Sequence, residues 1–149
     1  VGIRRQRQMC IRDRGKPVVS NVTEGPLFSL ARLTDGGTGN LDYFLGYPAE
    51  PHPIQITLDL GEATTFNRVT LHTFFNGRAY ESYEVQVSDD GKVFETVANR
   101  YEKPEKAAAD VAHDFETRDA RYVRVVTRGC KENVFDSFSR ITEIQVFNK

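Results

Sequence analysis

Hydrophobic and polar residues alternate along three segments in the first two thirds of the chain. In 54–60 every second residue is hydrophobic, and Gly61 follows directly. The same alternation recurs in 66–75 and in 83–87. A period of two residues is typical of strands that bury one face against a core. The pattern therefore predicts three strands, the first of which ends at Gly61.

The third strand is followed by an Asp-Asp-Gly-Lys turn at 89–92. An Asp-Gly pair between alternating segments favours a β-hairpin, so 93–98 is predicted to be the returning strand. The charged, alanine-rich segment 101–109 is compatible either with a loop or with one turn of helix.

Shorter patterns at both ends complete an all-β architecture. A β-prone run lies at 17–22, one or two helical turns are predicted at 26–33, and further strands are predicted at 111–115, 122–127 and 140–147. A long loop, 128–139, precedes the last strand. Many short strands with little helix predict one domain, an antiparallel β-sandwich or jelly roll.

The first fourteen residues differ from the rest, with five Arg, one Asp and no hydrophobic period. The run 4–14 can be back-translated into a sequence that looks like the transposon end used as an adapter in sequencing libraries. We therefore expect 1–14 to be foreign to the protein and the domain to occupy 15–149 as a fragment of a larger protein. The alternative, a basic arm for nucleic acid or anionic lipid, is disfavoured by that match.

Charge and cysteine content narrow the possible partners of residues 15–149. They contain 15 Lys and Arg against 20 Asp and Glu, a net charge of −5. This acidity argues against nucleic acid, and no apolar run approaches the length of a membrane span. Cys130 is the single cysteine of this part, so it forms no intrachain disulfide.

The segment 33–48 combines turn-forming residues with oxygen-bearing and aromatic side chains. Glycines lie at 36, 37 and 39, side-chain oxygens at 35, 38, 40 and 42, and aromatic rings at 43, 44 and 47. Glycine and Asx residues favour turns with local hydrogen bonds. We interpret this segment as an ordered loop whose first half wraps a cation and whose second half packs or stacks on another group.

Four motifs in order indicate a family. They are ITLDLG at 56–61, SYEVQVSDDGKVFETV at 82–97, ARYVRVV at 120–126 and ITEIQVF at 141–147. Together they resemble the discoidin domain, also called the coagulation factor five/eight type C domain, and within its galactose-binding-like superfamily the family-32 carbohydrate-binding modules of bacterial glycosidases. The resemblance covers 16–149 and implies an eight-stranded jelly roll that binds ligands through loops at one end.

The resemblance also implies a structural calcium site between the early Asp-Gly loop and the last strand. Calcium takes six to eight hard oxygen ligands. The matching positions are the carboxylates of Asp35 and Glu143, the side chain of Asn40 or Thr38, and the carbonyls of Arg32 and Gly37, with Asp42 in reserve. The family more usually has Thr or Ser at the position of Asn40. In the alternative interpretation Asp35 makes an Asx turn and Glu143 a salt bridge.

Sugar recognition requires an aromatic face together with planar polar groups. Three loops supply them, and the ligand-binding candidates are Tyr43, Asn76, Arg78, Tyr80, Arg128, Asn133 and Phe135. We expect the loops to converge at one end of the sandwich, with Arg78, Arg128 and Asn133 as polar contacts and Phe135, Tyr43 or Tyr80 as the platform. Phe74 and Phe138 are assigned to the core.

No catalytic set is present in the sequence. The histidines His52, His72 and His113 lack zinc-ligand spacing, and no serine lies in a nucleophile elbow. We expect a non-catalytic, monomeric carbohydrate-binding module, attached to a bacterial glycoside hydrolase and located outside the cell, in the periplasm or at the cell surface. Its partners would be glycans, of galactose-type or amino sugars, and the parent enzyme. The alternative is a structural or protein-interaction sandwich that packs on its parent enzyme without binding sugar.

Overall fold

The computed structural model describes residues 11–21, 30–36, 44–46, 54–73, 80–100, 105–106, 111–131 and 139–149. These residues form eight strands and one 3₁₀ helix, Leu30–Thr34. The strands are β1 Val18–Ser20, β2 Phe44–Gly46, β3 Ile54–Thr73, β4 Tyr80–Ser88, β5 Glu95–Asn99, β6 Glu105–Lys106, β7 Val111–Lys131 and β8 Ser139–Phe147. Among these residues no helix is long and apolar enough to cross a membrane.

Two long antiparallel strands, β3 and β7, take part in both layers of the fold. The first half of β3 pairs with β1 and with the second half of β7, which also pairs with β4, and β4 pairs with β5 and β6. The second half of β3 pairs with β8 and with the first half of β7, and β8 pairs with β2. Strands that pass from one layer to the other through a bulge form the corners of a sandwich. The predicted antiparallel β-sandwich is therefore confirmed.

The corner lies at Gly61, where the predicted end of a strand is wrong. The register passes from Asp59 opposite Tyr122 to Thr64 opposite Ala120, and Gly61 has a φ of +87°. The Gly61 N–H donates to the Asp59 carboxylate, which also pairs with Arg121. A bulge with a left-handed glycine bends a strand without ending its pairing. For the same reason the strands predicted at 111–115 and 122–127 are parts of one strand, β7.

The interior consists of the alternating positions identified in the sequence. Fully buried side chains come from β3, β4, β7, β8 and the 3₁₀ helix. They include Ile54, Ile56, Leu58, Phe66, Val69, Leu71, Tyr83, Val85, Val123, Ile144 and Leu33. The Tyr83 hydroxyl lies 2.7 Å from Nε2 of His113, so a hydrogen bond links β4 of one layer to the first half of β7 in the other. Hydrophobic alternation therefore places these strands, and the contact between Tyr83 and His113 joins the layers.

Local bonds explain the smaller shifts in element boundaries. The return strand begins at Glu95 rather than at 93, because the Asp90 carboxylate accepts the N–H groups of Lys92 and Val93 and prolongs the turn. The segment 101–109 contains strand β6, where a loop or a helical turn was predicted. The 3₁₀ helix overlaps the last part of the predicted helical turns at 26–33, and 26–29 lie outside the described residues.

Gly91 and Gly61 provide a test of the hairpin turn. Both have positive φ, but a Cβ on Gly91 would lie 3.2 Å from the Tyr122 ring, whereas the nearest atom for Gly61 is Nζ of Lys16 at 4.0 Å. Gly91→Ala is expected to cost about 1 kcal/mol more than Gly61→Ala, since both carry backbone strain but only the first crowds a ring. Urea unfolding measures this difference, and equal losses would contradict the packing of the turn on Tyr122.

Residues 11–14 lie along the edge of β8. Ile11 bridges Phe147, and the Arg12 N–H donates to the Val146 carbonyl at 2.8 Å. The Asp13 side chain is fully buried, and its Oδ1 accepts the Val146 N–H at 3.2 Å. The foreign origin of 1–14 stays a prediction.

Candidate functional site

Three segments of the chain connect strands of one layer to strands of the other. They are 47–53, 74–79 and 132–138, and the strand residues beside them are neighbours. Tyr80 pairs with Lys131, Gly46 pairs with Ser139, and Thr73 pairs with Ile141. A link of six or seven residues reaches at most about 25 Å, so the strand ends that it joins share one end of the sandwich.

Tyr80 and Arg128 lie on adjacent strands at that end. The register between β4 and β7 changes from Ser82 opposite Gly129 to Tyr83 opposite Thr127, which leaves Arg128 as the extra residue of a bulge. Bulges are frequent beside binding sites, because they change the direction of the strand. The structure thus brings the backbones of these two candidates together.

The remaining sugar-binding candidates lie outside the described residues. They are Tyr43, Asn76, Arg78, Asn133 and Phe135, and the side chains of Tyr80 and Arg128 lie outside as well. Phe74 and Phe138, which were assigned to the core, also lie outside the described residues. The roles of these residues stay predictions.

Glu143 occupies a closed site on β8, opposite His72 of β3. Its side chain is 0% exposed, and Oε2 accepts the Gly36 N–H at 3.0 Å across 107 residues of sequence. Its other oxygen, Oε1, is buried and accepts no hydrogen bond from the part of the chain that is described. A buried carboxylate oxygen without a partner is costly, so this site favours a proton or a cation.

Burial sets the protonation of Glu143. It raises the pKa of this carboxyl to about 8, although the Gly36 N–H lowers the pKa. The negative charges of Asp13 and Asp35 raise the pKa further, and the positive charge of Arg14 lowers it. The Arg14 guanidinium lies against Gly36, where an added Cβ would be 3.0 Å from Cζ. The site is therefore acidic, and residues 11–14 and the 3₁₀ helix close it.

The structure places part of the predicted metal set at this site. Arg32 lies in the 3₁₀ helix and Asp35 directly follows it, whereas Gly37 and Asn40 are outside the described residues. Within the described ranges no group of three or more His, Cys, Asp or Glu forms a ready metal site. The alternative salt bridge of Glu143 is wrong for the described chain, where its partner is the Gly36 N–H.

Sequence reasoning missed one further acid beside this site. Asp13 is fully buried, its Oδ2 has no hydrogen-bond partner among the described residues, and burial raises its pKa to about 7. Its burial results from backbone pairing with β8. No hydrophobic period in 1–14 signals that pairing.

Comparison with known proteins identifies the fold family. The sequence profile of the F5/8 type C domain matches residues 19–144. No curated protein matches the chain.

Solved structures with the same fold include modules from bacterial glycosidases. Chitosan-binding module 1 of a chitosanase/glucanase from Paenibacillus sp. IK-5 is 24% identical, with a TM-score of 0.73 over 93% of this chain and 99% of that one. CpGH89CBM32-4 of Clostridium perfringens, solved with GlcNAc-α-1,4-galactose, is 17% identical, with a TM-score of 0.77 over 94% of each chain. SpGH29 is 20% identical, with a TM-score of 0.72; the match covers 97% of this chain but 29% of SpGH29.

Proposed function

Because the chain belongs to the F5/8 type C domain family, we propose that it is a non-catalytic module that binds carbohydrate. The observation that carries this proposal is the nature of the similar structures, which are named as a chitosan-binding module and as a family-32 module solved with a disaccharide. Each matches more than nine tenths of this chain. The family is one of binding domains, in agreement with the absence of a catalytic set in the sequence.

The proposed sugar site lies at the end of the sandwich where 47–53, 74–79 and 132–138 connect the layers. Arg78, Arg128 and Asn133 would donate hydrogen bonds to sugar hydroxyls, because their planar groups hold donors in fixed geometry. Phe135, Tyr43 or Tyr80 would pack against the apolar face of the ring. The pairing of Tyr80 with Lys131 and the bulge at Arg128 support this placement. Galactose-type and amino sugars are the proposed ligands.

Calcium is the proposed resident ion of the Glu143 site. The fit rests on Glu143 Oε1, a buried oxygen with no partner in the described chain, and on the carboxylate of Asp35 nearby. The carbonyls of Arg32 and Gly37 and the side chain of Asn40 would add further hard oxygens. Bound calcium would supply positive charge and tie the segment after the 3₁₀ helix to β8. Its role would be structural.

Attachment to a glycoside hydrolase is part of the proposal. The chain spans 29% of the length of SpGH29 and nearly the whole of the isolated modules. A tethered module keeps an enzyme near its substrate by raising the effective concentration. The proposal places the protein outside the cell, in the periplasm or at the cell surface, as a monomer.

The alternative of a sandwich that only packs on its parent enzyme receives no support from the described surface. Its large exposed hydrophobic residues are Val19 and Val93, at 65% and 77% exposure. They belong to β1 and to the β4–β5 turn, at opposite edges of one layer. Docking surfaces are usually contiguous apolar patches, and these two residues do not form one.

Variants of the proposed sugar site test its residues. Arg78→Ala or Phe135→Ala is expected to weaken binding of a recognised glycan by about tenfold or more, since each removes a central contact. Isothermal titration calorimetry with the wild type and both variants measures the loss. Arg121→Ala is the control, because Arg121 pairs with Asp59 at the opposite end of the sandwich. Unchanged binding by both site variants, or an equal loss in the control, would refute the assignment.

A further inference from the structure

Three neighbouring strands place two lysines on either side of a tyrosine at the proposed sugar-binding end of the sandwich. Tyr80 of β4 pairs with Lys106 of β6 on one side and with Lys131 of β7 on the other. Residues directly opposite each other in an antiparallel pair lie on the same face of the sheet, about 5 Å apart. Lys106, Tyr80 and Lys131 therefore form a row across three strands, and the two lysine positions are about 10 Å apart.

The acidic residues of the same strand ends lie on the other face of the sheet. Glu81 pairs with Glu105 and with Cys130, one residue along each strand from the row. Successive residues of a strand alternate between the two faces, so Glu81 and Glu105 do not share the face of Tyr80. Within the described ends of β4, β6 and β7, the face of the row thus carries two lysines and no acidic residue. This positive row contrasts with the net charge of −5 on residues 15–149.

The row lies directly beside two of the three connections that form the proposed sugar site. Tyr80 follows the connection 74–79, and Lys131 precedes the connection 132–138. Arg128, the extra residue of the bulge in β7, is three residues before Lys131 and is already a proposed sugar contact. A ligand whose ring packs on Tyr80 would therefore have cationic residues in the strands on both sides of it.

We propose that the sugar site takes a galactose-type sugar that carries an anionic group, with the ring on Tyr80 and the anionic group at Lys106 or Lys131. This inference rests on the proposed carbohydrate binding and narrows its ligand class. The anionic group is a carboxylate or a sulfate ester, since both accept charge-assisted hydrogen bonds from an ammonium group.

The two lysines decide between classes of sugar. The flexible four-carbon stem of lysine allows its ammonium group to reach an anion held beside the ring. A neutral galactoside would use the aromatic ring but leave both positive charges without an anionic partner. The ammonium group of an amino sugar would add a third positive charge to the row. The row therefore favours acidic sugars over neutral ones and disfavours amino sugars.

An NMR titration of the full chain, labelled with ¹⁵N, tests this preference with three matched probes. They are methyl β-D-galactopyranoside, the corresponding galacturonide and the 6-sulfate. At about 0.01 M salt the two anionic probes are expected to bind about tenfold more tightly than the neutral one and to shift the amides of 80–82, 105–106 and 129–131. At about 1 M salt the preference should largely disappear, because screening weakens ion pairs.

Three lysine variants locate the preference. Lys106→Gln and Lys131→Gln should each lower the preference for the anionic probes by about two- to fivefold, the size of an exposed ion pair. Lys92→Gln is the matched control and should keep the full preference, because Lys92 is an exposed lysine in the β4–β5 turn, at the opposite end of β4. A thermal melt of each variant establishes that it is folded.

The outcomes separate this inference from the proposed function. Equal affinity for all three probes would overturn the preference for acidic sugars while supporting carbohydrate binding. An anionic preference that both Lys106→Gln and Lys131→Gln retain in full would overturn the assignment to this row. If no probe binds, both the inference and the binding of galactose-type sugars are contradicted. Tight binding of only the galacturonide or only the 6-sulfate would support the inference and identify the anionic group.

Discussion

Glu143→Gln is expected to remove the contribution of Glu143 to the pH dependence of stability that wild type shows without calcium. Glu143 has a pKa of 4.5 when unfolded, and burial raises it to about 8 in the fold. Between these values the folded chain holds a proton that the unfolded chain has lost. The free energy of unfolding therefore falls as pH rises, by up to about 1.4 kcal/mol per pH unit, and levels off above about pH 8. Glutamine does not titrate, so urea unfolding across this range should separate the two proteins.

Asp13 needs to be considered in that comparison. Its pKa is also raised by burial, to about 7, so wild type has a second group with the same sign. This contribution remains in Glu143→Gln, and the difference between the proteins isolates Glu143. The control Glu62→Gln should keep the wild-type slope, because Glu62 is exposed.

Calcium should also change the difference in the free energy of unfolding between wild type and Glu143→Gln. The ion binds the carboxylate form, so at pH 8 it should stabilise wild type by about 2.7 kcal/mol when its concentration is 100 times the dissociation constant. Glu143→Gln should show little of this gain. If the slopes of wild type and Glu143→Gln are equal, the raised pKa of Glu143 is contradicted. If calcium stabilises the variant as much as wild type, Glu143 does not hold the ion.

Phe66→Ala is expected to destabilise the domain by about 3–5 kcal/mol. Phe66 is 0% exposed and makes an edge-to-face contact with Phe115, with ring centroids 5.8 Å apart. Truncation would remove this contact and leave a cavity in the interior. Urea unfolding at fixed pH measures the loss.

Val93→Ala is the matched control for the core variant. Val93 is 77% exposed, so its truncation should change the free energy of unfolding by less than about 0.5 kcal/mol. A loss below about 1 kcal/mol in Phe66→Ala would contradict a packed interior at this position. Equal losses in the two variants would do the same.

The layers of the fold could be predicted because their signal is local. Alternation in 54–60 and 83–87 selected side chains that the structure buries, and Asp-Gly at 90–91 marked the hairpin. The order of the four motifs indicated the family, which the match over 19–144 confirms. Each of these signals lies within a few residues of the feature that it predicts.

Gly61 shows where local signals are insufficient. Glycine readily adopts a positive φ, as Gly61 does, but a left-handed glycine can end a strand or bend it. The outcome here depends on β7, which pairs with β3 on both sides of the corner. A partner some sixty residues away is not visible in the pattern around Gly61.

The candidate sites depend even more on distant contacts. Glu143 was assigned as a ligand by family resemblance alone, whereas its burial under Gly36 depends on a contact across 107 residues. Asp13 was not assigned at all, because nothing in 1–14 predicts pairing with β8. The sugar-binding candidates lie mostly in connections, where no period fixes which way a side chain points. Their assignment therefore rests on residue chemistry and on the strand ends beside them.

Direct binding of the chain to a glycan panel, in the presence of calcium, tests the central claim. The panel should include galactose-terminated, N-acetylgalactosamine-terminated and glucosamine oligosaccharides, and a thermal melt should establish that the chain is folded. The account predicts specific, weak binding to at least one of these classes that soluble ligand displaces. A folded chain that binds no glycan on the panel would contradict it.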